Sequence, residues 1–262
     1  MSAASLLGLG LLLAAAVMAA AFVLARRVDN YSIVDVAWSL TFTPLALLDA
    51  GLGTGWGPRR ALVAALTCAW SLRLGLHLWA RIAAHHPRED GRYVELRRRW
   101  APALATRFFV FFQAQGLLNV LLSLPVLLAC SNASPAFSPV ELAGATVFVV
   151  ALAGEALADA QLRRFKARAG SAGRVCDVGL WGWSRHPNYF FEWLVWCAFA
   201  LLALPARWGF TAAFAPLLML YFLLRVTGIP MTEEQSLRTK GAAYRDYQRR
   251  TSAFLPLPPR GA

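Results

Sequence analysis

The sequence predicts an all-α, polytopic membrane protein, a bundle of about seven transmembrane helices. The 262 residues are 58% hydrophobic and only 15% charged, and the mean hydropathy is +0.49. Soluble domains are typically about 45–50% apolar and about 25% charged, so this composition is typical of a membrane protein. Uncharged apolar windows of about 20 residues recur along the chain, which is the length a helix needs to cross the hydrocarbon core.

The apolar windows define the predicted helices in chain order. They lie near 4–25, 31–50, 60–80, 107–130, 139–160, 188–206 and 208–229. The first window is too long for the apolar region of a signal peptide, and it ends at Arg26 and Arg27 in place of a small-residue cleavage site. It is therefore expected to remain as a membrane helix. No linker-like tract interrupts the chain, so residues 1–262 are expected to form a single domain.

The basic residues between the windows predict the orientation. Most of the 26 Lys and Arg residues fall in alternate loops that share one side of the membrane. Since cytoplasmic loops carry the excess of basic residues, the N-terminus is predicted outside and the C-terminus inside. The net charge of +12 is then a cytoplasmic surface beside anionic lipid, with membrane lipid as a partner and no nucleic acid or obligate protein partner implied.

Several families of catalytic site are absent from the sequence. The four cysteines are scattered, the four histidines do not share metal-ligand spacing, and neither GxSxG nor HExxH occurs. The glycine-rich run GLGTGWG lacks the GxGxxG spacing of a Rossmann nucleotide site. We therefore expect no metal site, and hydrolysis is disfavoured.

Ionisable residues inside the apolar windows are the strongest candidates for function. Burial in lipid is costly for a charge, so such residues normally pair with one another or line a hydrated cavity. The predicted topology places five of them in the cytoplasmic half: Asp35, Arg73, Glu155, Asp159 and Glu192. We expect a shared polar cavity there, although any one pair could equally be a structural salt bridge.

The spacing of these residues sorts them into helix faces. Glu155, Asp159, Arg163 and Lys166 follow one face, and Asn188 and Glu192 are four residues apart. Tyr31, Asp35 and Trp38 form another such stripe. Basic and aromatic residues flank the cavity, and guanidinium groups and aromatic rings suit the phosphates and base of a nucleotide cofactor.

Two long motifs resemble the steroid 5α-reductase superfamily and its bacterial branch. They are GLWGWSRHPNYFFEW and TEEQSLRTKGAAYRDYQRRTSAFLPLPP, and the resemblance is strongest from Ala151 to Pro259. NYSIVDVAWSL and the loop REDGRY in the first half are similar to the same branch. The resemblance implies an integral-membrane reductase that uses NADPH to reduce the C4–C5 double bond of a 3-oxo-Δ4 steroid or a related lipid enone. It also implies a bacterial inner membrane, with the active site open to the cytoplasm.

The resemblance also implies roles for individual residues. The chain would divide into substrate-side helices over 1–130 and a cofactor-binding half over 139–262. Asn188 and Glu192 would hold the nicotinamide, and Asp159, Arg163 and Lys166 the ribose and phosphates. The other cofactor candidates are Arg73, Glu155, Trp183, Arg185, His186, Tyr189, Arg225, Glu233, Glu234 and Tyr247.

The catalytic positions depart from the family pattern. Mammalian members pair a Glu on the second helix with a Tyr on the third, whereas the corresponding positions here offer Asp35 and Trp70. Asp35, removed from water and protonated, is the candidate hydrogen-bond donor to the substrate carbonyl, with Tyr31 as a substitute or partner. Trp70 offers an indole N–H. The candidate substrate contacts are Trp38, Phe112, Gln115 and Asn119.

Two other functions compete with the reductase. RHPNY and the later pair Glu233-Glu234 are also similar to S-adenosylmethionine-dependent methyltransferases of the isoprenylcysteine carboxyl type. That family usually has Gly after RHPxY, where this chain continues with Phe190. The third alternative is a non-catalytic sterol-binding membrane protein. The sequence leaves the physiological substrate open.

Overall fold

The computed structural model describes residues 1–171 and 173–260, and these residues are almost entirely helical. The helices are α1 (Ala3–Arg27), α2 (Ile33–Leu52), α3 (Gly57–His85), α4 (Gly91–Trp100), α5 (Leu104–Ser131), α6 (Pro139–Lys166), α7 (Leu180–Trp183), α8 (Pro187–Ala203), α9 (Phe214–Tyr221), α10 (Ile229–Lys240) and α11 (Ala242–Arg250). Within the described part of the chain there is no β-strand, only an isolated bridge between Ser184 and Ser252. The predicted all-α class is confirmed.

Six helical segments of the described chain are long and apolar enough to cross a membrane, so this is a multi-pass membrane protein. They are Ala3–Arg27, Ile33–Leu52, Gly57–His85, Gly91–Ser131, Pro139–Lys166 and Gly209–Lys240. The predicted window 188–206 becomes α8, which has only 17 residues. At 1.5 Å per residue α8 is about 25 Å long, shorter than a hydrocarbon core of about 30 Å.

The residues group into two compact units. Unit 1 comprises Met1–Ser138 and Leu202–Gly209, and unit 2 comprises Pro139–Leu201 and Phe210–Ala262. In unit 1, α2 packs against α1, α3 and α5. The α1–α5 contact is close at Gly116, where a Cβ would lie 3.3 Å from the carbonyl oxygen of Ala14.

The core of unit 1 is aromatic at the end where α2 begins. Phe22 from α1 lies edge-on to Phe112 from α5, with ring centroids 5.7 Å apart. Tyr31, just before α2, stacks on Phe108 with centroids 3.7 Å apart and planes 1° from parallel. Tyr93 of α4 belongs to the same buried cluster. The rings of Tyr93 and Trp100 on α4 lie 6.4 Å from Phe111 and 5.0 Å from Phe108 between centroids. Aromatic pairs of this kind contribute about 0.5–1.5 kcal/mol each beyond their burial, so they hold α4 against α5.

Unit 2 is built on the packing of α6 against α8. Phe148 of α6 lies 5.4 Å from Phe199 of α8 between ring centroids. Nearer the other end, a Cβ at Gly154 would overlap the ring of Phe191. Residue numbers rise along α6 as they fall along α8, so the two helices are antiparallel.

The chain after α9 folds back on the segment that precedes α8. A π-helix, Phe222–Val226, leads from α9 into α10. The phenol of Tyr247 on α11 donates to the carbonyl oxygens of Trp181 and Ser184. The Ser184 hydroxyl donates to the carbonyl oxygen of Phe254 at 2.8 Å. These bonds fix α11 and the residues that follow it against the WSRHP segment, residues 183–187.

Candidate functional site

The carboxylate of Asp35 is the centre of a polar cluster in unit 1. Both of its oxygens accept hydrogen bonds: Oδ1 from the phenol of Tyr93 at 2.6 Å and Oδ2 from Nη2 of Arg92 at 2.7 Å. The Asp35 side chain is 17% exposed, and Tyr93 is 3% exposed. The expected role of Asp35 as hydrogen-bond donor fits this geometry poorly, because its oxygens already act as acceptors. Tyr93 carries the O–H group.

A second acid and a second base complete the cluster. Arg81 Nη2 lies 3.5 Å from Asp35 Oδ2 and 3.7 Å from Asp90 Oδ2. Asp90 also accepts from the Arg92 guanidinium and, at 3.0 Å, from the Arg92 backbone N–H, so it caps α4. Burial raises the pKa of Asp90, but the hydrogen bonds and charge of Arg92 outweigh it and lower the net pKa. The cluster therefore holds Arg92 from both sides.

Tyr31 belongs to a neighbouring but different set of contacts. Its backbone N–H donates to Glu89 Oε1 at 2.5 Å, and the guanidinium of Arg97 lies 4.6 Å from its ring centroid. Burial raises the pKa of the Tyr31 phenol, against the lowering effect of Arg97. With its ring stacked on Phe108, Tyr31 serves to pack the chain before α2. The expected partnership of Tyr31 with Asp35 is replaced by that of Tyr93.

The two candidates on α3 lie away from any described contact with Asp35. Trp70 is fully buried and packs edge-on against Phe42, with centroids 5.2 Å apart. Arg73 is half-buried on the same helix and belongs to unit 1. Most of the other cofactor candidates lie in unit 2.

Two buried polar atoms on α2 and α5 mark the candidate substrate wall. Asn119 Nδ2 donates to the carbonyl oxygen of Trp38 at 2.9 Å. Among the described residues, Trp38 Nε1 and Asn119 Oδ1 are buried and have no hydrogen-bond partner. Trp38 packs on the aromatic cluster that includes Phe112, and Gln115 is half-buried on the same helix. A bound hydroxyl or water can accept from the Trp38 indole and donate to Asn119 Oδ1, and would satisfy both orphaned atoms.

In unit 2 the packing of α6 on α8 brings four predicted residues to two levels that are one helical turn apart. The contacts of Phe148 with Phe199 and of Gly154 with Phe191 set the register between the antiparallel helices. This register places Glu155 near the level of Glu192, and Asp159 near that of Asn188. Glu155, Asp159 and Glu192 are all buried, at 3%, 7% and 7% exposure. Glu192 Oε1 accepts from the indole of Trp196 at 3.0 Å.

A second group of predicted cofactor residues forms a hydrogen-bond network around Glu233. Glu233 of α10 accepts from Arg185 Nε at 2.7 Å and from Gln248 Nε2 at 2.8 Å, and it lies 3.3 Å from His186 Nε2. Arg185 Nη1 donates to the carbonyl oxygens of Gln248 and Thr251. The His186 ring stacks on Tyr189, with centroids 5.3 Å apart. This network ties α10 and α11 to the WSRHP segment, which is a structural role.

Other predicted cofactor residues lie outside this network or fill a purely structural position. Glu234 is exposed and pairs with Arg238 at 2.6 Å, so it does not share the Glu233 pocket as expected. Tyr247 is buried, and its phenol donates to two backbone carbonyl oxygens. Trp183 is half-exposed, and Arg225 is exposed in the π-helix. The contacts of these side chains to a common ligand, which the resemblance implied, stay a prediction.

The end of α6 carries the remaining candidates. Arg163 and Lys166 are exposed in its last turn, and Lys166 lines a cavity together with Lys240 from α10.

The sequence did not predict three of these residues as site residues: Arg92, Tyr93 and Lys240. For Tyr93 and Arg92 a signal existed, because both lie in the REDGRY motif.

The chemistry available to these groups is acid–base and anion binding. Over 1–171 and 173–260, no three His, Cys, Asp or Glu side chains gather as metal ligands would. Unit 1 offers a buried phenol beside a carboxylate. Unit 2 offers buried acids and an amide on facing helices, and cations at the end of α6.

Comparison with known proteins places the chain in a family. Residues 21–251 match the model of the family described as "Protein of unknown function (DUF1295)". An uncharacterized protein of Schizosaccharomyces pombe is 30% identical over 259 residues, an alignment that covers 87% of this chain and 73% of the relative. No solved structure matches. The chain therefore belongs to the DUF1295 family, which is related to steroid 5α-reductase-like proteins.

Proposed function

We propose that the protein is an NADPH-dependent reductase of the C4–C5 double bond in a 3-oxo-Δ4 steroid or a related lipid enone. The observation that carries the proposal is the buried pair formed by Tyr93 and Asp35, 2.6 Å apart between oxygens. A related family and the multi-pass fold support it. The membrane is also where such an apolar substrate dissolves.

The pair suits the charge that this reaction develops. When a hydride adds to the β-carbon of an enone, negative charge appears on the carbonyl oxygen, and a positioned donor near that oxygen lowers the barrier. The Tyr93 phenol is the donor in this proposal, a role that the sequence gave to Asp35. A carbonyl oxygen near Tyr93 would compete with Asp35 for the phenol proton, and Arg92 would continue to balance the Asp35 charge.

The aromatic end of unit 1 supplies apolar side chains beside which the ring system of the substrate would lie. Phe112 is fully buried in this cluster, and the partly buried Trp38 packs on it. The orphaned Trp38 indole and Asn119 amide oxygen would then hold a polar group of the substrate, one as donor and the other as acceptor. A lipid enone with a second polar group suits this arrangement better than a plain hydrocarbon chain.

The residues of unit 2 fit the groups of a dinucleotide. Asn188 and the buried acids Glu155, Asp159 and Glu192 can bond a carboxamide and ribose hydroxyls. Lys166 can bond phosphate. When bound, NADPH supplies the hydride. The protein residues orient it, and the network around Glu233 keeps the WSRHP segment in place.

Ligand-induced stabilisation separates the reductase from the methyltransferase. We expect NADPH, and not S-adenosylmethionine, to raise the melting temperature of the detergent-purified protein. A ligand at about 100 times its dissociation constant stabilises by about 2.7 kcal/mol. Stabilisation by S-adenosylmethionine alone would contradict the proposal and favour methyl transfer.

Turnover of a 3-oxo-Δ4 steroid tests the catalytic role of the phenol. Loss of a general acid typically costs about 10²- to 10⁴-fold, so Tyr93→Phe should lower kcat by that amount while NADPH still stabilises the protein. Tyr221→Phe is the matched control, because Tyr221 is 58% exposed. Equal kcat in Tyr93→Phe and the wild type would remove the phenol from the mechanism. Sterol binding without any NADPH oxidation would favour the non-catalytic alternative.

A further inference from the structure

A cavity of about 350 Å³ lies in unit 2 at the end of α6. Three basic side chains line it: Lys166 from α6, Arg174 from the loop that follows, and Lys240 from the end of α10. Lys166 and Lys240 are the two lysines of the chain. They are 74 positions apart, so the fold brings them together.

The cavity is positively charged and contains no compensating acid. Its other lining residues are neutral, and Ser171 among them offers a hydroxyl. In the described part of the chain, Lys166, Arg174 and Lys240 form no ion pair with an acidic side chain; the ion pairs are made by other basic residues. Three like charges around one space repel each other, and an anion between them would relieve that repulsion.

The cysteine in the wall does not supply that anion. Cys176 is buried, and burial raises the pKa of its thiol, against the lowering effect of Lys240 and Arg168. The thiol is therefore neutral at physiological pH. Asp177, the next residue, does not line the cavity and lies 3.7 Å from Arg250, so the negative charge that the three cations favour is left to a ligand.

We propose that this cavity binds a phosphate monoester. A monoester carries close to two negative charges at neutral pH and three acceptor oxygens, which matches three cationic donors. A volume of about 350 Å³ is at the lower end for ligand pockets, which run to about 1,000 Å³, so it suits a phosphate with its attached sugar better than a whole dinucleotide.

Two ligands present this chemistry. One is the 2′-phosphate of a nicotinamide dinucleotide, in which case the inference rests on the proposed function and the cavity selects NADPH over NADH. The other is the headgroup of a monoester phospholipid such as phosphatidic acid. Both would place a phosphate monoester among the side chains of Lys166, Arg174 and Lys240.

Direct binding to the full-length protein tests the inference without enzyme turnover. The nucleotide arm uses isothermal titration of the detergent-purified protein with adenosine 2′,5′-bisphosphate and with adenosine, which carries no phosphate. The lipid arm compares phosphatidic acid with phosphatidylcholine in nanodiscs. We expect at least one monoester to bind about tenfold or more tightly than its comparison ligand, and binding to weaken as salt is raised.

Neutral variants then assign the binding to the cavity. Arg174→Gln and Lys240→Gln should each weaken the monoester about tenfold, since each removes a charge-assisted hydrogen bond. Lys240→Arg should retain most of the binding, which excludes misfolding as the cause. Arg238→Gln is the matched control, because Arg238 is an exposed cation on the same helix that pairs with Glu234 instead.

The outcomes separate this inference from the reductase proposal. Monoester binding that is lost in Arg174→Gln and Lys240→Gln supports the inference in either arm, even if no enone is reduced. The inference is overturned if Arg174→Gln and Lys240→Gln bind both adenosine 2′,5′-bisphosphate and phosphatidic acid as tightly as the wild type does. That result would leave the reductase proposal intact if the protein still turns over NADPH. Absence of binding in both arms of the wild type would overturn it as well.

Discussion

Replacing Glu233 by Gln should destabilise the protein, because Glu233 joins three segments of unit 2. It accepts from Arg185 and Gln248 and lies beside His186. The side chains of the Arg185–Glu233 pair are only 10% and 15% exposed. Gln keeps an acceptor oxygen but leaves the Arg185 charge buried without a carboxylate partner.

The expected loss follows from that geometry. Removing one partner of a buried ion pair costs about 3–5 kcal/mol, and the retained amide bond places Glu233→Gln near about 2–3 kcal/mol. For a chain of this size that corresponds to a melting temperature lower by about 5–10 °C. The intrinsic fluorescence of the ten tryptophans, followed during heating of the detergent-purified protein without ligand, measures the change.

The neighbouring residue supplies the control. Glu234 is 65% exposed and pairs only with Arg238, so Glu234→Gln should change stability by less than about 1 kcal/mol. A double-mutant cycle of Glu233→Gln with Arg185→Gln should show a coupling of about 1–3 kcal/mol. Equal melting temperatures for Glu233→Gln and the wild type, combined with weaker NADPH binding, would refute the structural role and restore Glu233 to the cofactor site.

Three further perturbations test separate parts of the structure. Gly154→Ala should lower stability by about 1–3 kcal/mol in thermal unfolding, since its Cβ would displace the Phe191 ring; an unchanged melting temperature would contradict the α6–α8 packing. The pKa of Asp90 is lowered in the folded state, so its contribution is present above the unfolded pKa of about 3.9 and is lost as pH falls through the folded value. The stability difference between wild type and Asp90→Asn should therefore vanish in acid, and a difference that is constant with pH would argue against the Asp90 contacts. Asn119→Leu should change stability by less than about 1 kcal/mol but raise KM for a polar enone about tenfold, whereas an unchanged KM would make the Asn119 amide purely structural.

The helices were largely predictable because membrane spans depend on local composition. Window 60–80 lies inside α3, and 107–130 lies inside α5. The extensions at their ends are polar or amphipathic turns, such as the end of α3 at His85, which a hydropathy window does not detect. The shortness of α8 was missed for a related reason. The apolar residues after Ala203 continue the hydropathy signal although the helix has ended.

The site was predictable only where its residues share a helix. The spacing of Glu155 with Asp159 and of Asn188 with Glu192 follows directly from the helical period. The contacts of Asp35 with Arg92 and Tyr93 could not be predicted in this way. These two residues are 57 and 58 positions away, on a short helix outside the apolar windows. Spacing along one helix carries no information about such a contact.

The network around Glu233 illustrates a second limit of sequence reasoning. The motifs around Arg185 and Glu233 indicated that these residues matter, and the resemblance assigned both to the cofactor. Sequence alone cannot separate a charge that meets a ligand from one that meets another side chain. The 2.7 Å contact between Arg185 and Glu233 is visible only in three dimensions.

Transfer of deuterium from the cofactor tests the central claim most directly. The purified protein is incubated with a 3-oxo-Δ4 steroid and NADPH deuterated at nicotinamide C4, with each C4 stereoisomer supplied in turn, and the product is analysed by mass spectrometry. We predict a saturated ketone that carries one deuterium at the former β-carbon with one of the two stereoisomers, and far less product from Tyr93→Phe. Recovery of unreduced steroid by a protein that NADPH fails to stabilise would contradict the account.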